Sequence, residues 1–166
     1  MGQAASALCE HLEKIFRRHS QRLFACALAV TGCPHRAEDA VQSAFCGLFQ
    51  LPRWPRNLEA YVFRAVRNSA LAQRRGRPIA ELADEWFLFD PGVGPPEQAE
   101  SEEFKRMAAA ALKRLSDDER ETVVAHLYAG MTFAQVAAVR EVSINTVTSW
   151  YRRGMERLRQ ELGEPT

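Results

Sequence analysis

At 166 residues, with 46% apolar side chains and a net charge of +1, the chain has room for one or two small domains with modest cores. It holds no run of about 18 apolar residues, which excludes a membrane-spanning helix, and its N-terminus lacks the basic segment and apolar stretch of a secretion signal. The expected location is therefore the cytoplasm, with no membrane contact of its own; Met1, Gly2 and Ser6 fit the loose myristoylation pattern, a match too short to carry weight.

From the N-terminus, Leu8, Leu12, Ile15, Phe16, Leu23, Ala27 and Val30 keep a helical period that Gly32 and Pro34 end. A second helix, about 35–50, gathers Ala37, Val41, Ala44, Phe45, Leu48 and Phe49 on one side, and LPRWP at 51–55 forms a loop. A third helix, about 58–75, is expected to bury Leu58, Val62, Ala65, Val66 and Ser69. It should present Arg64, Arg67, Asn68, Leu71, Arg74 and Arg75 outward. No segment alternates as a strand does, so the predicted fold class is all-α.

Four cysteines, Cys9, Cys26, Cys33 and Cys46, include no C-x-x-C pair. Cys33 with His35 and Cys26 makes at most a partial ligand set, and reduced, half-buried thiols are the simpler reading. No metal or cofactor is expected. His11, His19, His35 and His126 lie apart, and no nucleophile–base or phosphate-loop motif occurs, so no residue is assigned a catalytic role and an enzyme is not expected.

The small net charge conceals two opposed blocks. Residues 53–78 hold Arg53, Arg56, Arg64, Arg67, Arg74, Arg75 and Arg77 against Glu59 alone; residues 79–103 hold Glu81, Asp84, Glu85, Asp90, Glu97, Glu100, Glu102 and Glu103 and no basic residue. A basic block points to a polyanion. Arginines at helical spacing track phosphates, Asn68 among them can read a base, and Tyr61 and Trp54 nearby can stack on an unpaired one. The acidic block contains DPGVGPPEQ, whose prolines and glycines forbid continuous helix or strand. The predicted organisation is two small helical domains, 1–78 and 104–166, joined by an acidic Pro/Gly linker at 79–103.

In the second domain Ser116 and Glu119 make a capping box, and Thr132 with Gln135 makes another. Val136, Ala137 and Val139 supply a small apolar face, and Arg140, Glu141 and Val142 make a turn. Ser143 caps a last helix running to about Leu162. There Val147, Tyr151, Leu158 and Leu162 share the buried side, opposite Asn145, Thr148, Ser149, Arg152 and Arg153. This is a helix-turn-helix: small polar residues at the N-terminal end can touch base edges in the major groove while the arginines behind hold phosphates.

These segments resemble those of a known family. Residues 36–49, RAEDAVQSAFCGLF, resemble region 2.2 of the small, two-domain extracytoplasmic-function (group 4) factors of the sigma-70 family. There an A-E-D-x-x-Q-x-x-F pattern docks on core RNA polymerase, which the resemblance places on Glu38, Asp39, Gln42 and Phe45. Residues 58–77 resemble regions 2.3 and 2.4, which melt and read the promoter −10 element; the matching residues are Arg64, Arg67, Asn68, Arg74 and Arg75, and the expected contact also takes in Tyr61 and Leu71 of the same helix. The stretch from about 110 to 162 is similar to region 4, which reads the −35 element, here through Ser143, Asn145, Thr146, Thr148, Ser149, Arg152, Arg153 and Arg157. The resemblance implies a promoter-specificity factor whose partners are core RNA polymerase, promoter DNA and an anti-sigma factor. Two other readings compete with it: a sigma-like decoy that binds polymerase or an anti-sigma factor without initiating, and an operator-binding helix-turn-helix regulator.

The chain departs from the family pattern at particular positions. Glu141 stands where the turn usually has glycine, and Thr148 and Trp150 stand where the recognition helix usually has lysine and arginine. The loop before the third helix, LPRWPRN, is short and proline-bearing. Gly154 sits inside the last helix, at a cost of about 1 kcal/mol relative to alanine.

Overall fold

The structure, a computed structural model, describes residues 2–75 and 98–163, with side chains over 6–75 and 103–163. Arg77 and most of the expected acidic linker, including its Pro/Gly segment, lie outside the described residues. Seven helices, with no strand among the described residues, form two bundles. In the first, α1 (Gly2–Thr31), α2 (Pro34–Leu48) and α3 (Leu58–Arg74) pack on one another; in the second, α4 (Gln98–Arg114), α5 (Asp117–Leu127) and α6 (Phe133–Arg140) gather around α7 (Ile144–Leu162). The α4 helix takes in residues 98–103, the end of the stretch expected as linker.

Local chemistry sets these boundaries. Gly32 leaves α1 at φ 66°, and Pro34 opens α2 in the first turn, where its missing N–H costs nothing. The Ala60 N–H donates to Asn57 Oδ1 at 3.0 Å to start α3. Both capping boxes form: Ser116 with Glu119, and Thr132 with Gln135.

Leu12, Leu23, Leu28, Leu48, Val62 and Val66 fill the first core, each worth about 1.5–3 kcal/mol on burial. The buried face of α3 is rotated from the expected one. Phe63 and Ala70 join Val62 and Val66, Leu58 and Ala65 are partly buried, and Ser69 is only half-buried. The cause is a second neighbour: α6 also packs against α3, so the helix buries two adjacent sides.

The α5 helix explains how the bundles join. Its sequence, DDERETVVAHL, has no clear apolar stripe, yet Glu119 to Ala125 are all buried. One side meets α1 and the other meets α7. Arg120, 1% exposed, donates from Nε to the Ala29 carbonyl at 2.8 Å, from Nη1 to the Leu115 carbonyl at 3.2 Å, and from Nη2 to Asp117 at 2.7 Å. Ala29 lies in the last turn of α1, where carbonyls lack helical partners and no basic residue of α1 itself is present. The second bundle thus caps a helix of the first. Arg22 of α1 returns the favour, donating through Nε to the Ala129 carbonyl just beyond α5.

Gly154 has a packing reason. A Cβ there would lie 2.9 Å from Val123 Cγ2 and 3.4 Å from Glu119 Cβ, so glycine lets α7 approach α5 closely.

Candidate polymerase and nucleic-acid interfaces

On α2, Glu38, Asp39 and Gln42 are exposed along one strip of the helix. Phe45, the fourth residue of the expected docking set, is not: it is 7% exposed, belongs to the first core and meets the Phe16 ring edge-on at 5.2 Å. Its burial follows from its spacing with Val41 and Leu48, which face the core. The accessible aromatics nearby are Phe49, seven residues beyond Gln42 and so on the same side of the helix, and Phe16. Both are apolar residues that a period-based reading assigns to the core.

The expected −10 face of α3 divides in two. Asn68, Leu71 and Arg75 are exposed, and Tyr61 is partly buried against the first core. Arg64, Arg67 and Arg74, expected to point outward, instead face the second bundle. Arg64 Nη2 donates to the Ala138 carbonyl at 2.7 Å, and its Nη1 lies 3.1 Å from Glu141 Oε1. Arg67 Nε lies 2.6 Å from Glu121 Oε2, a pair with both side chains largely buried. Arg74 Nη1 lies 2.7 Å from Asp117 Oδ2. A periodicity argument finds the face of a helix but not what comes to cover it. Trp54, in the preceding loop, is 43% exposed and meets His11 edge-on at 4.9 Å.

Asp117 receives both Arg74 and Arg120. Burial pushes its carboxyl up, but the two guanidinium hydrogen bonds and their charges outweigh burial, so it sits below the usual carboxylate range. His19, buried on α1 beside Arg22 and Glu59, is held below its ordinary value of 6.5 by burial, with Glu59 opposing and Arg22 and Arg18 reinforcing. Its Nδ1 lies 2.8 Å from Arg22 Nη1, a contact that requires an unprotonated, accepting nitrogen. Cys26, where the bundles meet, has its thiol pushed up to about 12, first by burial and then by Glu121, and is no thiolate. Among the described residues no group of His, Cys, Asp and Glu could hold a metal.

The helix-turn-helix forms as its caps demand. Glu141 occupies the turn at φ 57°, ψ 42°, a left-handed conformation that costs a non-glycine residue about 1 kcal/mol. Ser143 accepts from the Thr146 N–H at 3.1 Å, and the two hydroxyls pair at 2.8 Å. The Thr148 hydroxyl donates back to the Ile144 and Asn145 carbonyls at 3.1 and 3.0 Å, which occupies its donor. Asn145, Ser149 and Arg152, spaced four and three, line the side of α7 opposite the buried Val147, Gly154 and Leu158; Asn145 and Arg152 are exposed and Ser149 half-buried. Arg153 Nε and Arg157 Nη1 lie 3.6 and 3.0 Å from the two oxygens of buried Glu119, so these arginines are already partnered. Trp150 packs on the core under the Arg140 guanidinium, whose carbon lies 4.7 Å from the ring centre. His126 is half-buried, with Nδ1 2.7 Å from the Met131 carbonyl and its ring stacked on Phe133.

A further apolar surface escapes a reading of the sequence. Phe104, Leu112, Leu127, Tyr128, Met155 and Leu162 line a groove of about 440 Å³ among α4, α5 and α7. Phe104 and Leu127 are 60% and 52% exposed, an arrangement suited to apolar side chains of a protein partner.

Two family models divide the chain where the bundles divide. Sigma-70 region 2 matches residues 15–77, and Sigma-70, region 4 matches residues 105–158. The chain belongs to the extracytoplasmic-function group of the sigma-70 family. It is 30% identical over 160 residues to the ECF RNA polymerase sigma factor SigE of Mycolicibacterium smegmatis, covering 92% of this chain and 62% of that protein. With the ECF RNA polymerase sigma factor SigL of Mycobacterium tuberculosis the identity is 29% over 175 residues, covering 96% and 95%. Among solved structures, the sigma factor RpoE in complex with the anti-sigma factor NepR from Bartonella quintana superposes with a TM-score of 0.69 at 24% identity, over 95% of this chain and 99% of that one. CnrH in complex with the cytosolic domain of CnrY does so with a TM-score of 0.69 at 24% identity, over 99% and 95%. The fold of this sigma factor is that of these two, and no described helix is long and apolar enough to cross a membrane.

Proposed function

We propose that this sigma factor binds core RNA polymerase in the cytoplasm, recognises −10 and −35 promoter elements and starts transcription. The observation that carries the reading is the pairing of two bundles in family order, each with its own accessible polar strip: Glu38, Asp39 and Gln42 on α2, and Asn145, Ser149 and Arg152 on α7. The α2 strip offers polymerase two charges and an amide, with Phe49 as the apolar contact and Phe45 as support from beneath. The α7 strip offers an amide and a hydroxyl to base edges and a guanidinium to phosphate. On α3, Asn68, Leu71 and Arg75, with Arg64, Arg67 and Arg74 once released, face the −10 element. Two weak DNA contacts on tethered domains then act together through effective concentration. The protein's part is recognition, with catalysis left to core polymerase. An anti-sigma factor that holds both bundles is a proposed partner.

Run-off transcription tests this. Core polymerase, this protein and a library of upstream genomic DNA should give discrete 5′ ends that share two upstream motifs. Absence of both starts and core binding would overturn the reading. Asp39→Arg should abolish core binding while circular dichroism stays unchanged; unaltered binding would remove α2 from the docking surface.

A further inference from the structure

The first turns of α7 carry an apolar surface that neither bundle uses. Ile144, the first residue of the helix, is 51% exposed, and among the described residues it belongs to neither hydrophobic core. Phe104 and Leu127 are as exposed but line the groove beside α4; Ile144 lies outside that groove. Thr148 follows one turn later on the same side of the helix, and Asn145, Ser149 and Arg152 run alongside. Resting on the promoter-binding role above, we propose that Ile144 and the Thr148 methyl read thymine by its C5-methyl group and that Asn145 reads an adenine beside it. The −35 element of this factor is then specified by A·T pairs under the first turns of α7, and not by guanines.

What each neighbouring group already does narrows the choice. Ser143 accepts the Thr146 N–H and the two hydroxyls pair with each other, so both serve the cap. The Thr148 hydroxyl donates to the Ile144 and Asn145 carbonyls, which leaves that side chain a methyl to present and no donor. Residues 144–149, INTVTS, hold no lysine or arginine. Arg153 and Arg157 are drawn to Glu119, and Arg152 lies two helical turns beyond Ile144, about 12 Å along the axis. Base edges in the major groove supply the complement. Guanine is read there by a bidentate arginine or lysine on N7 and O6, and the first turns of α7 have none to offer. Thymine carries the one methyl group among the bases, and asparagine pairs bidentately with adenine N6 and N7. An apolar side chain held in water gains by leaving it, and the thymine methyl is the apolar group that the groove provides.

Burying one methyl against Ile144 is worth about fourfold in affinity, and an Asn145–adenine pair about fivefold or more. Salt does not screen an apolar contact, so the preference for thymine should persist as rising salt weakens the phosphate contacts.

The test uses holoenzyme, core polymerase with the full chain, and run-off templates whose upstream element is randomised over about one turn of DNA. Templates that yield starts should be enriched in adjoining adenine and thymine. Replacing each selected thymine in turn by deoxyuridine removes the methyl and keeps the base pair. At one position this should lower the yield at limiting holoenzyme about fourfold for the parent and by less than about 1.5-fold for Ile144→Ala. Ile144→Val, which keeps most of the apolar contact, should retain the discrimination. Asn145→Ala should relax the adenine preference and leave the response to deoxyuridine intact. The ratio of thymine to deoxyuridine yields is indifferent to how much of a variant is folded, so a stability defect cannot imitate the result. Starts from templates enriched in guanine at these positions, equal yields from thymine and deoxyuridine templates with the parent, or an undiminished ratio in Ile144→Ala overturn the proposal alone. Absence of starts overturns the promoter-binding reading on which it rests.

Discussion

Helices α3 and α7 both carry arginines on a polar face, and the structure treats them in opposite ways. On α3 the arginines turn inward to Glu121, Asp117 and Glu141 of the other bundle. On α7 the strip of Asn145, Ser149 and Arg152 faces away from both cores, and only the flanking Arg153 and Arg157 are drawn to Glu119. The difference arises from the second bundle: α6 packs on α3, and α5, buried between α1 and α7, supplies Glu121 and Asp117 to the α3 arginines. A helix packed by one neighbour shows its polar face to solvent; a helix packed by two gives part of that face to the second.

Breaking α5 should disturb both faces at once and give the largest effect. Arg120→Leu removes the cap on α1 and leaves the Ala29 carbonyl and Asp117 with fewer partners, for a loss of about 3 kcal/mol in urea unfolding. A loss below about 1 kcal/mol would mean that Arg120 is replaceable by solvent.

Gly154→Ala should disturb the α7 side alone. Overpacking against Val123 costs about 1–3 kcal/mol and helix propensity returns about 1, so a net loss of up to about 2 kcal/mol is expected. Adding Val123→Ala should recover part of it if the clash is the cause, and no recovery would point elsewhere.

On the open face, Arg152→Ala should weaken duplex binding and reduce the salt slope by about 1. Arg153→Ala with Arg157→Ala should cost less per residue, since both begin on Glu119. Equal slopes per arginine would show that the Glu119 pairs dissolve on DNA.

The smallest expected effect is on the covered side, with pH. The folded state holds His19 below its ordinary 6.5, so the unfolded chain takes the proton first, and stability present above that value is lost as pH falls through the folded value. Protonation also sets a cation against Arg22, which bridges to Ala129. Asp117 adds loss in the same direction at lower pH, because its folded carboxyl also lies below its ordinary value. Melting temperatures from pH 7.5 to 5 should fall less for His19→Gln than for the parent, and identical slopes would remove His19 from the balance.

The sequence by itself determined the local structure. The Thr132–Gln135 and Ser116–Glu119 boxes, the Ser143 cap and the glycine and proline stops depend on neighbours within a few residues, so the helices and the helix-turn-helix were legible from spacing. So was the strip of Glu38, Asp39 and Gln42, since an exposed polar residue needs no partner to stay at the surface. Tertiary structure alone decided the reason for Gly154, the seat of Trp150 under Arg140 and the partners of Arg64, Arg67 and Arg74. Each depends on a contact with a residue distant in the chain or on another helix. Helical periodicity reports which residues share a face, and only packing decides whether that face meets water, apolar side chains or a carboxylate.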